Sequence, residues 1–256
     1  MSKVLQLKNK DKKGNLKNAG KLEIKNQSEE KADLYLYGDI VSSEWGKWED
    51  TDTAPEDIKK FLDEIEGVKN LNIYVNSGGG SVFAGMAIYN MLKRHQANKT
   101  VHVDGLAGSI SSVIAMVGDK IIIPSNAYLM VHKAWSFTWG NANELRKFAD
   151  TLDVIDEGIL NVYNENLKEG ADIEKIKEMV EAETWLTGVE ASKYFNIEVS
   201  EENEAVACAS DYFNRYKKVP KSLKEAKQQI EEPQEPQEPQ ENIAKAKALL
   251  LLELEY

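Results

Sequence analysis

Three serines lie near the start of GLAGSISSVIAMVG, an apolar, Gly- and Ala-rich run at residues 105–118. Small hydroxyl residues often serve only to let a helix pack closely, but a serine at the first turn of a helix is also well placed for nucleophilic chemistry. Ser109 follows a strand-like segment and the turn DGLAG, so it falls where free N–H groups and the helix dipole favour developing negative charge. Ser111 and Ser112 lie about 100° and 200° further round the helix. We therefore predict that Ser109 attacks an acyl group and that the N–H of Ile110 stabilises the resulting oxyanion.

A serine nucleophile needs a general base, and the chain has three histidines. His95 lies among polar residues at a predicted helix end, and His102 lies inside a predicted strand, where a structural role is more common. His132 follows the apolar strand AYLMV, at the carboxyl end where α/β sheets place their sites. His132 is therefore the candidate base, with a structural role as the alternative.

A second glycine-rich stretch, NSGGGS at residues 76–81, lies between a predicted strand and a predicted helix. A phosphate-binding loop would occupy the same place, but this stretch lacks the Gly-Lys-Ser/Thr ending of a P-loop and the spacing of a dinucleotide fingerprint. Consecutive glycines expose backbone N–H groups in a conformation that other residues resist, which suits an anion cradle. We predict that the anion is a transient oxyanion, and we predict no nucleotide cofactor.

Composition excludes several other classes of function. The 256 residues carry a net charge of −11, so little basic surface remains to neutralise the phosphates of a nucleic acid. Cys208 is the only cysteine, which rules out an intrachain disulfide, offers no metal cluster and favours a reducing compartment. The basic N-terminus lacks the apolar centre of a signal peptide, and no segment approaches the length of a membrane span. We predict a cytoplasmic protein without metal, cofactor, nucleic acid or membrane contact.

Strand and helix patterns alternate along the chain. Strand-like alternation in KLEIKNQ and ADLYLYGDI is followed by a helix that Thr53 and Glu56 cap. The apolar face of that helix consists of Ile58, Phe61, Leu62 and Ile65. Short apolar strands at LNIYV, TVHVDG, KIIIP and AYLMVH then alternate with helices that begin near Val82 and Ser109. This order predicts an α/β fold with a largely parallel sheet.

A long amphipathic helix begins at Asn141. Its apolar residues recur at threes and fours: Leu145, Phe148, Leu152, Ile155, Ile159 and Val162. Such a helix more often packs on a partner than on its own domain, so we predict a subunit contact. TGVEASKYFNI then predicts a helix turning into a strand, and EVSEENEAVACAS predicts the last strand of the sheet.

Three parts of the chain differ in composition. Residues 1–20 are Lys-, Asn- and Gly-rich with little to bury, which predicts a flexible basic arm. Residues 21–219 carry the core patterns and predict the single folded domain. Residues 220–256 contain the repeat EEPQEPQEPQE and the helix former NIAKAKALLLLELEY, which predict an extended linker and a short docking segment.

Four segments resemble the Clp protease proteolytic subunit (ClpP) family of serine peptidases, which belongs to the crotonase-like superfamily. They are YVNSGGGSVFAGMAIYNML, GLAGSISSVIAMVG, YLMVHKA and ETWLTGVEASKYF, in the family's order and spacing over roughly residues 30–200. The resemblance implies an α/β fold of repeated strand-strand-helix units. It also implies a long handle helix, here at residues 141–169, that interleaves between two stacked rings of subunits.

The resemblance implies a role for each matching residue as well. The family's nucleophilic serine falls on Ser109, and its histidine base falls on His132. The family's oxyanion-hole donors correspond to the backbone N–H groups of Gly80 and Ile110. Glu183, in ETWLT, stands where the family has the aspartate of its catalytic triad.

The segment HKAWSFTWGNANELRKFADTLDVIDEGILNVY resembles the phage and prophage branch of the family, whose members look like head maturation proteases. We therefore predict a serine endopeptidase, ATP-independent or ATPase-assisted, that processes scaffold or capsid proteins during phage head maturation. The C-terminal tail is the predicted contact to the assembling shell. The polar N-terminal arm does not resemble the family's axial loops, which leaves docking of an unfoldase ATPase open.

Three alternatives remain at the level of sequence. The first is a housekeeping ClpP subunit that degrades unfolded proteins with an ATPase partner, and the second is a catalytically inactive ring-forming assembly module. The third is the signal peptide peptidase A family, which has a related fold and uses a Ser-Lys dyad. Lys133 directly follows His132 on a strand, so it points to the opposite face and is a poor base for Ser109.

Overall fold

The structure is a computed structural model that describes the strands Lys3–Lys10 and Leu16–Ile24 together with residues 30–47, 51–201 and 216–220. Most of the predicted last strand EVSEENEAVACAS, the Pro/Gln/Glu repeat and the predicted tail helix lie outside the described residues. Within the described residues, no helix combines the length and the apolar character needed to cross a membrane.

The first two strands form a hairpin-like pair that composition did not predict. Strand β1 (Lys3–Lys10) pairs antiparallel with β2 (Leu16–Ile24), and the two form a two-stranded sheet. Composition predicts an arm over residues 1–20, and within residues 1–27 only KLEIKNQ has a strand pattern.

The main sheet is parallel along most of its width. Its strands lie side by side in the order β3 (Lys31–Tyr37), β4 (Asn70–Ser77), β5 (Asn98–Gly108), β6 (Lys120–Pro124) and β9 (Glu198–Ser200). From Asn70 to Val75, residues of β4 alternate between buried and less buried positions, as expected of a strand with one well-covered face. The prediction of an α/β fold with a largely parallel sheet is confirmed.

Strand β5 branches, and this branch brings the site together. Its first half pairs with β6, with Val101 opposite Ile121, whereas its second half pairs parallel with β7 (Tyr128–Val131), with Ala107 opposite Leu129. The carboxyl ends of β5 and β7 therefore lie side by side, although β6 separates them in sequence. Strand β8 (Thr184–Thr187), to which the sequence analysis assigned no strand, pairs antiparallel with β7.

The helices that cover the sheet are short. They are α1 (Pro55–Glu64), α2 (Val82–Arg94), α3 (Ile110–Ala115), α5 (Ile173–Glu181) and α6 (Gly188–Ala191). The predicted apolar face of α1 is confirmed, because Ile58, Phe61 and Ile65 are buried and Leu62 packs against the same core.

The predicted cap of α1 is wrong by one residue. The helix begins at Pro55, and the carboxylate of Asp57 accepts the backbone N–H of Ala54 at 2.8 Å. Thr53 instead forms a bridge with Ile40. Proline at the first helical position has no N–H to satisfy, which fixes the helix start there.

The predicted long helix is α4 (Ala142–Glu165), which we call the handle helix. Asn141 caps it, and the Glu144 carboxylate accepts the N–H of Asn141 at 2.8 Å. Among the described residues, its C-terminal half packs on the rest of the chain, with Ile159, Val162 and Tyr163 buried. In the N-terminal half the predicted apolar stripe is half-buried or exposed, and Leu145 is 43% exposed.

Candidate active site

Ser109 lies at the junction of β5 and α3, as the sequence predicted. Its backbone has φ 54° and ψ −128°, a conformation that a residue with a side chain rarely adopts. Its N–H donates to the carbonyl of Met130 on β7 at 2.9 Å, which ties the turn to the neighbouring strand. The turn sends the Ser109 side chain into a cleft, where Oγ lies 2.7 Å from Nε2 of His132.

The other two serines of the run are buried, and their hydroxyls are satisfied elsewhere. Ser111 Oγ lies 2.8 Å from the carbonyl oxygens of both Ser77 and Gly108, which share its single proton. Ser112 Oγ lies 2.7 Å from the hydroxyl of Tyr163 on the handle helix. Both side chains are at most 1% exposed, so neither reaches the cleft that Ser109 borders.

His132 follows the last residue of β7, next to the end of β5. Burial lowers the pKa of its imidazole, and the charges of Glu183 and Asp156 only partly oppose that effect. A lowered pKa keeps the ring neutral near pH 7, so that Nε2 can accept a proton from Ser109.

The other histidines lie apart from this site. His102, on β5, stacks on the ring of Tyr74 with centroids 4.9 Å apart. His95 follows α2, and its Nδ1 accepts the N–H of Ala97 at 3.3 Å. Neither lines the cleft; the sequence favoured a structural role for His102 and an exposed position at a helix end for His95.

The glycine loop lies directly against Ser109. Gly79 has φ 104°, and a Cβ added there would lie 2.7 Å from Cβ of Ser109 and 3.3 Å from the backbone nitrogen of Ile110. The loop and the first N–H of α3 therefore share one small space. A side chain at residue 79 would fill that space, which is a steric reason for glycine at this position.

The backbone of Gly80 is held by the segment around Ile40. The N–H of Ile40 donates to the carbonyl of Gly79 at 2.7 Å, and the N–H of Ser81 donates to the carbonyl of Ile40 at 2.7 Å. Gly80 itself has φ 146°, and a Cβ there would meet the Ile40 carbonyl oxygen at 2.0 Å. Neither of these two hydrogen bonds uses the N–H of Gly80, so both leave that N–H for another partner.

Glu183 lies beside His132 without a hydrogen bond to it among the described residues. Its backbone has φ 51°, and its Oε1 accepts the backbone N–H of Lys218 at 2.7 Å. Its charge nevertheless acts to raise the pKa of His132, and this effect is larger than that of the Asp156 charge. The role of Glu183 as the orienting acid stays a prediction.

Asp156 and Asp153 are the other carboxylates close to this region. Asp156 is buried on the handle helix, and its Oδ1 accepts the N–H of Ala134 at 2.7 Å. The ammonium group of Lys133 lies 3.4 Å from Asp156 and 3.2 Å from Asp153. The hydrogen bond that Lys133 donates to Asp153 and the nearby carboxylate charges raise the pKa of Lys133. This lysine is therefore protonated and turned towards carboxylates, whereas the base of a Ser-Lys dyad must be neutral.

The cleft at Ser109 and His132 has a volume of about 600 Å³ and is mostly apolar. The larger apolar side chains of its walls are Phe83, Trp135, Phe137, Phe148, Leu152 and Ile155. Within the described part of the chain, no group of three or more His, Cys, Asp or Glu side chains could hold a metal ion.

Two contacts at the site were not predicted from the sequence. Tyr216 lines the cleft, and Lys218 donates its N–H to Glu183. Both belong to a short segment, residues 216–220, that follows the last described strand of the sheet. The aromatic residues in DYFNRY were the one feature that could have pointed to a buried contact there.

A half-buried Ser-His pair beside a glycine loop and a helix start is an arrangement suited to acyl transfer. The chain belongs to the Clp protease family, because the family model described as "Clp protease" matches residues 49–198, more than half of its length.

Curated relatives are named as proteolytic subunits of a Clp protease. The chain is 31% identical over 137 residues to an ATP-dependent Clp protease proteolytic subunit of Ligilactobacillus salivarius, a match that covers 52% of this chain and 68% of the relative. Two proteins of the same name from Bacteroides fragilis strains are 26% identical over 137 residues, covering 52% of this chain and 65% and 61% of the relatives. The chain thus spans about two thirds of the length of the curated relatives it matches.

Proposed function

We propose that the protein is a serine endopeptidase of the ClpP type that acts on polypeptides. The observation that carries this proposal is the 2.7 Å distance between Oγ of Ser109 and Nε2 of His132 at the wall of the cleft. Proton transfer between these atoms needs no rearrangement. Membership of the Clp protease family supports the same chemistry.

The proposed reaction follows the usual course of a serine peptidase. Ser109 Oγ bonds to the carbonyl carbon of the peptide while His132 Nε2 takes the hydroxyl proton, and the carbonyl oxygen becomes an oxyanion held by the N–H groups of Ile110 and Gly80. The carboxylate of Glu183 stabilises the imidazolium. His132 then protonates the leaving amine as the C–N bond breaks. A water molecule, deprotonated by the same imidazole, then bonds to the acyl carbon. The C–O bond to Ser109 breaks, and His132 returns the proton to Oγ as the acid product leaves.

Reaction with a fluorophosphonate, followed by peptide mapping, tests this proposal. The reagent bonds to an activated serine oxygen and loses fluoride, so we expect a single adduct at Ser109 and none after His132→Ala. The buried Ser111 and Ser112 serve as internal controls. A protein without any adduct would favour the inactive assembly module, and an adduct on another serine would overturn the assignment of Ser109.

We also propose that the subunits form rings and that the handle helix joins them, over residues 141–169. An exposed apolar surface supports this proposal. Phe137 and Trp139, just before the helix, are 80% and 83% exposed, and Leu145 in its first turn is 43% exposed. A surface of this kind is typical of a protein contact.

Replacing Trp139 and Leu145 together with aspartate should reduce the assembly to small species in analytical ultracentrifugation. Charge in an apolar contact is costly, and neither side chain lines the cleft. Leu152 and Ile155 are less suitable positions because both border the cleft. The matched control is Trp45→Asp, which changes another highly exposed tryptophan, away from the handle helix. Sedimentation of the double variant like the wild type would show that this surface does not hold the assembly.

The biological role that we propose is processing of scaffold or capsid protein during phage head maturation, in the bacterial cytoplasm. The segment from His132 to Tyr163, with its resemblance to the phage branch, supports this role. We further propose that residues 21–219 form the peptidase domain, residues 1–20 an arm, and residues 220–256 a tether to the shell. Co-expression with candidate capsid proteins, followed by mass spectrometry, should reveal fragments that are absent with Ser109→Ala.

Housekeeping proteolysis with an ATPase is the competing role, and the names of the relatives favour it. The two roles differ in their energy requirement. A maturation protease should cut its capsid substrate without ATP, whereas a housekeeping subunit should degrade a folded substrate only with an unfoldase and ATP. Comparison of both reactions with the purified protein decides between them.

A further inference from the structure

A short segment beyond the main sheet crosses the active-site side of β7. Residues 216–219, which we call the strap, place two side chains against the sheet. Tyr216 and Val219 are 6% and 7% exposed and form a small apolar cluster with Leu106 and Met130. The strap is therefore packed on the fold by its own buried surface, and not merely adjacent to it.

The tyrosine of the strap contacts both the base and the glycine loop. Its ring meets the imidazole of His132 edge to face, with centroids 5.2 Å apart. Its hydroxyl donates to the carbonyl of Gly78 at 2.5 Å. Tyr216 is also part of the cleft wall that Ser109 and His132 border.

The next residues of the strap contact the candidate acid. The backbone N–H of Lys218 donates to the carboxylate of Glu183 at 2.7 Å, and the ammonium group of Lys218 donates to the carbonyl of Ala182. The strap thus contacts the base, the glycine loop and the acid, three features that come from separate parts of the sequence.

We propose that the strap is a positioning element of the peptidase site, in which Tyr216 aligns His132 and the glycine loop for catalysis. This proposal rests on the proposed peptidase function. An inhibitory role is disfavoured because, with the strap in place, Ser109 and His132 are already 2.7 Å apart and a cleft of about 600 Å³ remains beside them.

The glycine loop needs such support because three consecutive glycines have more backbone freedom than any other sequence. Ile40 holds the carbonyl of Gly79, and Ser77 Oγ accepts the N–H of Gly79 at 3.1 Å. The hydroxyl of Tyr216 donates to the carbonyl of Gly78. Together these bonds fix the peptide units that precede Gly80, whose N–H is the proposed oxyanion donor.

The tyrosine ring also shields the imidazole from water. Burial lowers the pKa of His132, and the charged groups that face the ring are Glu183, next to β8, and Asp156, on the handle helix. Removal of the Tyr216 ring would hydrate the imidazole and leave both carboxylates in place. The pKa of His132 should then rise towards its ordinary value of about 6.5.

Two substitutions separate the hydroxyl from the ring. Tyr216→Phe removes only the bond to Gly78, so kcat for a small peptide should fall on the order of tenfold with little change in KM, because the oxyanion contact acts in the transition state. Tyr216→Leu also removes the ring, so kcat should fall on the order of a hundredfold. In addition, the inflection of kcat/KM against pH should move upwards, because neutral His132 is then reached only at higher pH.

Tyr128→Phe is the matched control. Tyr128 packs against the same small cluster but does not line the cleft. Its hydroxyl can be lost without touching the site, so activity and pH profile should match the wild type. Thermal unfolding and sedimentation of all three variants check that the fold and the assembly are intact.

Three results would overturn the proposal. If Tyr216→Leu keeps the wild-type kcat and pH inflection, the strap only covers apolar surface. If Tyr216→Leu is more active than the wild type, the strap inhibits. If activity falls only in proportion to a loss of folded protein, with an unchanged pH inflection, the role is structural. A wild-type protein that reacts with no fluorophosphonate would instead remove the peptidase function itself, and the strap proposal with it.

Discussion

Ser109→Ala should reduce peptide hydrolysis on the order of 10⁴- to 10⁶-fold while folding and assembly stay intact. Oγ of Ser109 is the only serine oxygen of its run at the cleft, and it lies 2.7 Å from the base. Loss of one hydroxyl in a half-buried position removes no packing that the fold needs. Hydrolysis of a fluorogenic peptide, together with sedimentation, measures both parts of the expectation.

Ser111→Ala and Ser112→Ala are the controls for that result. Each removes a buried hydroxyl that bonds to the backbone or to Tyr163, so stability should fall by about 1 kcal/mol and activity should survive. A fully active Ser109→Ala protein, or an inactive Ser112→Ala protein that is well folded, would contradict the proposed mechanism.

Glu183→Gln should reduce turnover by about 10²- to 10⁴-fold, the range expected when the acid of a triad is neutralised. The carboxylate is needed to orient the imidazole and to stabilise the imidazolium during attack. Its charge also raises the pKa of His132, so its removal should lower the inflection of kcat/KM against pH. That shift is opposite in sign to the one expected for Tyr216→Leu. Steady-state kinetics over a range of pH measures both quantities.

Two further variants sharpen the test of Glu183. Glu183→Asp keeps the charge on a shorter side chain and should be partly active. Asp156→Asn neutralises the other carboxylate whose charge acts on the pKa of His132. The Oδ1 atom of Asp156 accepts the N–H of Ala134. If Glu183→Gln keeps near wild-type turnover and pH dependence while Asp156→Asn does not, the handle helix supplies the acid.

The elements that carry the site were predictable from local pattern. A strand, a Gly-rich turn and an apolar helix predicted where Ser109 would lie, and the structure has β5 and α3 on either side of it. The handle helix was equally predictable, because apolar residues that recur every three or four positions are typical of an amphipathic helix. These features depend on neighbours a few residues away, which a sequence displays directly.

The meeting of Ser109 and His132 was decided by strand order. Strand β7 follows β6 in the chain but pairs with the second half of β5, where Gly108 lies opposite Met130. Only that pairing brings the ends of β5 and β7 together and puts the serine beside the histidine. Strand order depends on packing across the whole sheet. For this reason the residues alone, without the family resemblance, did not decide between a catalytic and a structural role for His132.

The surroundings of the acid and the base were decided by tertiary structure alone. The backbone N–H that binds Glu183 comes from Lys218, 35 residues further along the chain, and Tyr216 reaches a glycine 138 residues before it. The sequence by itself determined which residue types were available, the order of the elements and the serine at a strand-to-helix turn. The tertiary structure determined which side chains meet and how far each is buried, because contacts between distant segments and the pKa of a buried imidazole depend on the packed fold as a whole.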